Sequence, residues 1–233
     1  MEAIILAGGF GTRLQHIVSD VPKPMAPMDK QGTPFLAILL DCLCEAQFSR
    51  IVLSTGYMKE KIRTYFGVQY RGMELLYSEE DTPLLTGGAI KKALTYCESD
   101  SVFILNGDTY FEVDFAGMRK IFQEQNADVV IAVKEMKNFD RYGTIVSDGI
   151  RVLEFQEKRY QSSGWINGGI YLVRRNLFSN AEERFSFEKY LEKEVRHLNI
   201  VTYLSNGFFI DIGVPQDYFY AQERYRAGVL GRL

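Results

Sequence analysis

The chain has 233 residues, of which 46% are hydrophobic and 13% aromatic, and only six are prolines. This composition excludes the disordered and fibrous classes, and a chain of this length can bury a sizeable core. The formal net charge of −3 excludes a general attraction for nucleic acid, so any affinity for phosphate must come from a local cluster of cations.

The number of cysteines and histidines and the sequence of the N-terminus further limit the kind of protein that this chain can be. Two histidines are too few for a multi-histidine zinc site, and three cysteines without Cys-x-x-Cys spacing predict reduced thiols. The first apolar run, Glu2–Leu6, is far shorter than the ~20 residues of a membrane span, and it lacks the basic start of a secretory signal. These features predict a cytoplasmic protein with no membrane partner.

Short apolar strands alternate with helical patterns through the first half of the chain. Because strands joined by crossover helices form a parallel sheet that is covered on both faces, the alternation predicts an α/β fold. The predicted strands are Glu2–Leu6, Arg50–Thr55, Glu74–Ser78 and Ser101–Asn106, and the predicted helices are Pro34–Ala46, Lys59–Phe66 and Gly88–Tyr96.

The pattern changes after a helix around Phe115–Gln125 and a strand at Val129–Val133. Turn residues such as Ser147-Asp148-Gly149 separate the β segments that follow, which predicts antiparallel additions to the same sheet. These segments are Tyr142–Val146, Arg151–Gln156 and Trp165–Val173; a helix near Phe187–Leu198, a strand at Val201–Leu204 and a helix after Pro215 complete the chain. We therefore predict a single Rossmann-like domain with a mixed, mostly parallel sheet flanked by helices.

Three glycines and two cations follow the first strand. The glycines of Gly8–Gly11 let backbone N–H groups approach an anion, and Arg13 and Lys23 add positive charge, which predicts a triphosphate site. A structural turn with a surface arginine is the alternative. A dinucleotide fingerprint lacks its third glycine because Leu14 stands there, and a Walker loop lacks its Gly-Lys-Ser/Thr ending.

Two aspartates end apolar runs that are far apart in the chain. Asp108 follows the strand Ser101–Asn106, and Asp211 follows Phe208–Ile210. Ligands of open α/β sheets bind at the carboxyl ends of the strands, and Mg²⁺ takes one or two protein carboxylates together with phosphate oxygens. The pair predicts a shared Mg²⁺ site, with turn aspartates as the alternative.

Two other segments carry polar groups suited to a nucleotide sugar. Lys158 can neutralise a second phosphate, while Glu157 and Asn167 can bond sugar hydroxyls. An exposed ion pair is the alternative for Glu157 and Lys158. In Glu79–Gly88, a carboxylate acceptor suits the two donors on the edge of guanine.

In this order the motifs resemble those of the sugar-1-phosphate nucleotidylyltransferases, most closely those that make GDP-sugars. The matching segments span nearly the whole chain and are Leu6–Leu14, Pro22–Met25, Glu79–Gly88, Gly107-Asp108, Glu157-Lys158, Asn167–Gly169 and Asp211–Gly213. Within that family, the short length and the ending Phe209–Tyr218 are similar to the D-glycero-α-D-manno-heptose 1-phosphate guanylyltransferases. Leu85 and Arg159 depart from the family pattern, which commonly has glycine and proline at these positions.

The resemblance implies the nucleotide-diphospho-sugar transferase fold and transfer of GMP from GTP to a sugar 1-phosphate, with Mg²⁺ as cofactor, for a bacterial surface polysaccharide. It implies a nucleotide-binding half at about residues 1–110 and a sugar-phosphate-binding half at about 111–233. The residues implied for the nucleotide are Leu6, Ala7, Gly8, Gly9, Gly11, Thr12, Arg13, Lys23, Glu80, Leu85, Gly107 and Asp108. Those implied for the sugar phosphate are Gly143, Glu157, Lys158, Asn167 and Gly168. Arg13, Lys23 and Asp108 are implied to be catalytic, and Asp108 and Asp211 to hold the metal.

Several alternatives stay open at this point. The sugar can be mannose 1-phosphate, the nucleotide can differ from GTP, or the protein can be a non-catalytic sensor that binds a sugar nucleotide. A GT-A glycosyltransferase is disfavoured because Asp108-Thr109-Tyr110 is not an Asp-x-Asp motif, and the missing glycine disfavours a nicotinamide-dependent oxidoreductase. Aromatic residues near Tyr218, Phe219 and Tyr220 allow a homo-oligomer.

Overall fold

The computed structural model describes residues 1–9, 11 and 13–231, and these form twelve strands and six α-helices. The strands are β1 (Glu2–Ala7), β2 (Arg50–Thr55), β3 (Gln69–Tyr70), β4 (Met73–Glu79), β5 (Ser101–Asn106), β6 (Thr109–Phe111), β7 (Val129–Phe139), β8 (Thr144–Ser147), β9 (Val152–Gln156), β10 (Gln161–Arg174), β11 (Ile200–Leu204) and β12 (Phe209–Asp211). The helices are α1 (Phe35–Glu45), α2 (Lys59–Phe66), α3 (Leu85–Leu94), α4 (Phe115–Glu124), α5 (Phe187–Glu194) and α6 (Pro215–Arg226).

One large sheet organises the chain, with the strand order β11-β7-β10-β5-β1-β2-β4-β3 and the β8–β9 hairpin attached to β10. The neighbours β5, β1, β2 and β4 are parallel, as the alternation of strands and helices predicts. β10 runs antiparallel between β5 and β7, and the edge strand β11 is parallel to β7. The predicted mixed sheet flanked by helices is confirmed, and so are the antiparallel additions in the second half.

Helices bury both faces of this sheet. In β1, Ala3 and Ile5 belong to one apolar core, whereas Ile4 between them belongs to the other. Helices α1, α2, α4 and α6 pack on the face of Ile5, and α3 and α5 pack on the face of Ile4. Because each central strand is covered on both sides, its sequence is a continuous apolar run rather than an alternating one.

A small second sheet brings distant parts of the chain together. β12 pairs antiparallel with β6, so that Asp211 lies opposite Thr109. The Ile212 N–H donates to the Asp108 carbonyl at 3.0 Å and extends this pairing. The sequence pattern does not predict β6, because it has only three residues and follows β5 after a tight turn.

Four element bounds differ from the prediction by three residues or more. α3 begins at Leu85 rather than Gly88, α5 ends at Glu194 before the predicted Leu198, β7 continues past Val133 to Phe139, and β10 begins at Gln161 rather than Trp165. Within α3, the N–H groups of Gly87 and Gly88 donate to the Phe185 carbonyl at 2.9 and 3.2 Å, and a Cβ on Gly88 would overlap the backbone of Glu183. The glycine pair therefore serves a close backbone approach, although in the sequence it resembles a helix boundary.

The three cysteines are free thiols, as predicted. Burial raises the pKa of Cys42 and of Cys97 to about 12, so neither is a reactive thiolate. Among the described residues, none of the helices combines the length and apolarity that crossing a bilayer requires.

Tyr218 is buried on the inner side of α6, and its hydroxyl donates to the Pro27 carbonyl at 2.5 Å. The expectation that Tyr218 contributes an exposed aromatic ring to an interface is therefore wrong. Phe219 and Tyr220, on the outer side of the same helix, are exposed.

Candidate active site

A cavity of about 530 Å³, called here the larger cavity, lies at the carboxyl ends of β1, β2 and β5. This is the edge where open α/β sheets bind ligands. Nine of the residues predicted to bind the nucleotide line it, namely Leu6, Gly8, Gly9, Gly11, Arg13, Lys23, Glu80, Leu85 and Asp108.

Two predicted nucleotide residues do not line the larger cavity, and a third is not described. Ala7 is fully buried in the core beside the larger cavity. Gly107 donates its N–H to the Leu6 carbonyl at 3.0 Å, and a Cβ there would stand 2.5 Å from the Leu6 carbonyl oxygen, so this glycine holds β5 and β1 together. Thr12 lies outside the described residues.

Gly11 lets the glycine loop rest against the segment that carries Lys23. Its φ of +60° is a left-handed conformation, and a Cβ there would lie 2.8 Å from the Lys23 Cβ. Lys23 itself begins a short 3-10 turn, Lys23–Met25, in which the Met25 N–H donates to the Pro22 carbonyl at 2.7 Å. The two predicted phosphate-binding segments are thus in direct contact.

Two cations and two carboxylates meet at the end of the larger cavity. Lys23 Nζ lies 2.5 Å from Asp108 Oδ2 and 3.8 Å from Asp211 Oδ1. Next to them, a Cβ placed on Gly213 would lie 2.8 Å from Asp211 Oδ1, 3.1 Å from Lys23 Nζ and 3.2 Å from Arg13 Nη2. The β6–β12 pairing explains why Asp108 and Asp211 are neighbours although they are far apart in sequence.

The electrostatics of this cluster favour a bound cation. Burial, and after it the charge of Asp108, raise the pKa of Asp211 above its ordinary value, although Lys23 and Arg13 act in the opposite direction. Hard carboxylate oxygens are the ligands that Mg²⁺ prefers, and it needs only one or two of them from the protein. Within residues 1–9, 11 and 13–231 no group of three or more acidic, cysteine or histidine side chains is arranged for a metal, so phosphates and water would complete the shell.

Glu80 and Leu85 form the opposite wall of the larger cavity. Glu80 Oε2 accepts the Leu84 N–H at 2.8 Å, and its Oε1 lies 3.2 Å from the position of a Cβ on Gly8. One carboxylate oxygen is therefore engaged and the other faces the glycine loop. Leu85 has a φ of +63°, a left-handed conformation that favours glycine, and its side chain is 46% exposed.

A smaller cavity of about 260 Å³ adjoins the larger one. All five residues that were predicted to bind the sugar phosphate line it, together with Arg13 and Asp211; the five are Gly143, Glu157, Lys158, Asn167 and Gly168. The register of β8, β9 and β10 places Ile145 beside Phe155 and Trp165, which gives this cavity an apolar wall.

Asn167 also shapes the strand that carries it. Its Nδ2 donates to the Tyr171 hydroxyl at 2.6 Å, and its Oδ1 accepts the Gly169 N–H at 3.0 Å. These bonds hold an irregularity in β10 between Asn167 and Tyr171, where Gly169 has a φ of +74°. The side chain keeps one N–H for a ligand.

The sequence reasoning missed several residues of the two cavities. Arg141 lines the smaller cavity and pairs with Asp217 of α6 at 2.6 Å. Its position two residues before Gly143 is the only sequence signal that could have found it. Asn106 and Glu188 line both cavities, and for Glu188, at the start of α5, no local pattern indicates a site.

The two cavities are joined, since both are lined by Arg13, Asn106 and Glu188. The predicted division at about residue 110 stays a prediction, because each cavity also draws on the other half. The larger cavity takes Glu188 and Gly213 from the second half, and the smaller takes Arg13 from the first.

The chain is similar to known proteins over nearly its whole length. The family model described as nucleotidyl transferase matches residues 2–228. The D-glycero-α-D-manno-heptose 1-phosphate guanylyltransferase of Aneurinibacillus thermoaerophilus is 47% identical, over 96% of this chain and 97% of its own length. The protein of that name from Campylobacter jejuni is 40% identical, over 94% of this chain and 98% of its own.

A solved structure has the same fold. The crystal structure of HddC from Yersinia pseudotuberculosis is 33% identical and superposes with a TM-score of 0.85, over 96% of this chain and 99% of its own. The structure of the same protein complexed with GMP-PN superposes with a TM-score of 0.81 over the same shares.

Proposed function

The chain belongs to the nucleotidyl transferase family, and from that premise we propose that it transfers GMP from GTP to D-glycero-α-D-manno-heptose 1-phosphate and releases pyrophosphate. The relatives that match almost the whole chain carry the name of this activity. The observation that carries the proposal is the convergence of Arg13, Lys23, Asp108 and Asp211 where the two cavities join.

The reaction is a displacement at the α-phosphorus of GTP. An oxygen of the sugar phosphate forms the new bond to phosphorus, while the bond from phosphorus to the oxygen that bridges to the β-phosphate breaks. Because the phosphate monoester is already an anionic nucleophile, neither a general base nor a covalent intermediate is needed. Catalysis then depends on alignment of the substrates and on compensation of charge.

The residues of the junction can divide this work. We assign Lys23, which pairs with Asp108, to stabilise negative charge at the α-phosphate, and Arg13 to neutralise the departing pyrophosphate. In the smaller cavity, Lys158 is assigned to position the attacking phosphate, and Glu157 and Asn167 the sugar hydroxyls. We assign the base to Glu80 and Leu85 in the larger cavity.

Asp108 and Asp211 are proposed to hold Mg²⁺, which when bound supplies charge neutralisation at the α-phosphate. Both carboxylates lie within 4 Å of Lys23 Nζ and so are close enough to share an ion. Burial and the charge of Asp108 raise the pKa of Asp211, which fits a site that gains from a divalent cation. The cytoplasmic location and the homo-oligomer stay predictions.

A matrix of four nucleoside triphosphates against several sugar 1-phosphates, read as pyrophosphate release in the presence of Mg²⁺, tests the proposal. GTP with the manno-heptose 1-phosphate is expected to have the highest kcat/KM. A preference for mannose 1-phosphate or for another nucleotide would change the proposed substrates but keep the reaction class. Binding of a GDP-sugar without any pyrophosphate release would instead indicate a sensor.

Two variants test the assigned roles. Asp108→Ala and Arg13→Ala should each lower kcat by about 10²-fold or more, because each removes a charge that acts on the developing transition state. Circular dichroism and urea unfolding should show that both variants fold. A correctly folded variant with wild-type turnover would refute the role assigned to its residue.

A further inference from the structure

Asn106 and Glu188 border both cavities, together with Arg13. Arg13 has a role in the proposed reaction, whereas the other two have none. An amide and a carboxylate at the junction of two substrate cavities require an explanation.

The Glu188 carboxylate is fixed by the protein through one of its oxygens. Oε2 accepts the hydroxyl protons of Thr86 and Ser186, each at 2.8 Å. Thr86 Oγ1 in turn accepts the Phe187 N–H at 2.9 Å, so the threonine hydroxyl is used in both directions. In the part of the chain that the structure describes, Glu188 has no cation within ion-pair distance, and Oε1 has no hydrogen-bond donor.

Asn106 ends β5 at the carboxyl edge of the sheet. Its side-chain amide lies over Gly169, where a Cβ would stand 2.6 Å from Nδ2, so the glycine makes room for the amide. Within residues 1–9, 11 and 13–231, the Asn106 side chain has no hydrogen-bond partner. The junction therefore presents a free carboxylate oxygen and a free amide.

These two groups suit a neutral hydroxyl and not a phosphate. A carboxylate oxygen accepts a proton from a hydroxyl, and an amide can both donate to a hydroxyl and accept from one. A phosphate oxygen next to Glu188 would be repelled, whereas Lys23, which lines the larger cavity and not the smaller one, offers a phosphate positive charge.

The position of α5 indicates which substrate carries the hydroxyl. Glu192, one turn after Glu188, lines the smaller cavity and not the larger one. The exposed side of α5 therefore follows the cavity that is assigned to the sugar. We propose that Asn106 and Glu188 bind a ring or exocyclic hydroxyl of the sugar 1-phosphate and set its orientation, an inference that rests on the proposed function.

A purely structural role for Glu188 is the competing explanation, since Thr86 and Ser186 connect α3 with α5 through its carboxylate. The two explanations differ in what they predict. Loss of a structural contact lowers the free energy of unfolding and alters KM for both substrates, because Thr86 also lines the larger cavity. Loss of a sugar contact raises KM for the sugar phosphate alone.

The test uses Glu188→Gln and Asn106→Ala, with Glu194→Gln as a control on the same helix that lines neither cavity. Steady-state kinetics are measured with GTP and with mannose 1-phosphate, the manno-heptose 1-phosphate and singly deoxygenated mannose 1-phosphates. Glu188→Gln should raise KM for the intact sugar phosphate by about tenfold or more, as expected for a hydrogen bond to a charged group, and Asn106→Ala by about two- to tenfold, as expected for a bond between neutral groups. Both variants should leave KM for GTP unchanged. At least one deoxy sugar should be a poor substrate for the wild type, and its disadvantage should disappear in Glu188→Gln.

Each result decides a different point. A rise of KM for GTP, or discrimination between GTP and its 2′- or 3′-deoxy forms that disappears in the variants, would overturn the inference in favour of a ribose contact. Unchanged sugar kinetics in folded variants would also overturn it while the proposed function stands. If Glu188→Gln does not fold, Asn106→Ala decides alone. Absence of pyrophosphate release by the wild type with every sugar phosphate would instead refute the proposed function.

Discussion

Replacing Leu85 by glycine and by alanine tests whether this residue has a strained backbone conformation and whether its side chain contacts the nucleotide in the larger cavity. Its φ of +63° lies in the left-handed region, and its side chain, 46% exposed, lines the cavity. For a residue with a Cβ, this conformation costs about 1–2 kcal/mol relative to the right-handed one. Alanine keeps that cost, whereas glycine removes it.

The expected free energies follow from this difference. About half of the side chain is buried, so truncation to alanine should lower the free energy of unfolding by about 1 kcal/mol, half of the value for a fully buried leucine. Truncation to glycine loses the same contact but relieves the strain, against about 0.4–1 kcal/mol of added chain entropy in the unfolded state. Leu85→Gly should therefore be more stable than Leu85→Ala by about 0.5–1 kcal/mol. In a regular helix the order is the reverse.

Urea unfolding of the three proteins, followed by circular dichroism, measures this order, because a change in the midpoint at constant slope reports a change in stability. Both variants should also raise KM for GTP, since both lose the side chain that faces the nucleotide. If Leu85→Ala is as stable as Leu85→Gly, or more stable, the residue is not strained. If KM for GTP is unchanged in both, the side chain does not contact the nucleotide.

Three further predictions follow from the structure. Gly9→Ala should keep its urea midpoint and raise KM for GTP, because Gly9 lines the larger cavity and a Cβ there meets nothing within 4 Å among the described residues. Gly107→Ala should lower the midpoint, because its Cβ would stand 2.5 Å from a carbonyl oxygen. Equal midpoints for the two variants would contradict this prediction. Burial would raise the pKa of Glu2, but hydrogen bonds from the Ser99 and Glu98 N–H groups and the charge of Arg50 outweigh burial and hold the pKa below its ordinary value. The charged carboxylate therefore stabilises the fold at pH values above the ordinary pKa, and this stabilisation is lost as the pH falls through the lowered pKa. Glu2→Gln should thus lower the free energy of unfolding by about 1–3 kcal/mol at neutral pH and by much less in strong acid. Urea unfolding at both pH values measures the two losses, and equal losses would contradict this prediction. Removal of divalent metal with a chelator should abolish pyrophosphate release and added Mg²⁺ should restore it; full activity without metal would refute the two-aspartate metal site.

The sequence predicts the bounds of an element correctly where turn residues stand at both ends of its strand or helix pattern. β2, α2 and β5 have the predicted bounds, because turn residues flank each of them on both sides. The start of α3 differs, because Gly87 and Gly88 oppose a helix in their intrinsic propensity and are retained for close packing on the segment around Phe185. β3 and β6 are too short for any periodicity to indicate them.

The same distinction applies to the candidate site. The glycine loop and Asp108 are predictable because each directly follows a strand, and the end of a parallel strand places a side chain at the ligand-binding edge. Glu188 and Arg141 reach the cavities only through the packing of α5 and of the segment between β7 and β8. The sequence around Glu188 does not indicate that packing, and around Arg141 only the nearby Gly143 does.

The β6–β12 ladder has a consequence for how activity arises during folding. Asp108 of the proposed metal site lies near the middle of the chain and Asp211 close to its end, and the three-residue pairing of β6 with β12 brings the two segments together. A nascent chain that ends before β12 contains the glycine loop and Asp108 but lacks the second carboxylate, Asp211. Turnover is therefore expected only after β12 has paired with β6, so the appearance of activity during refolding would measure the assembly of the whole domain.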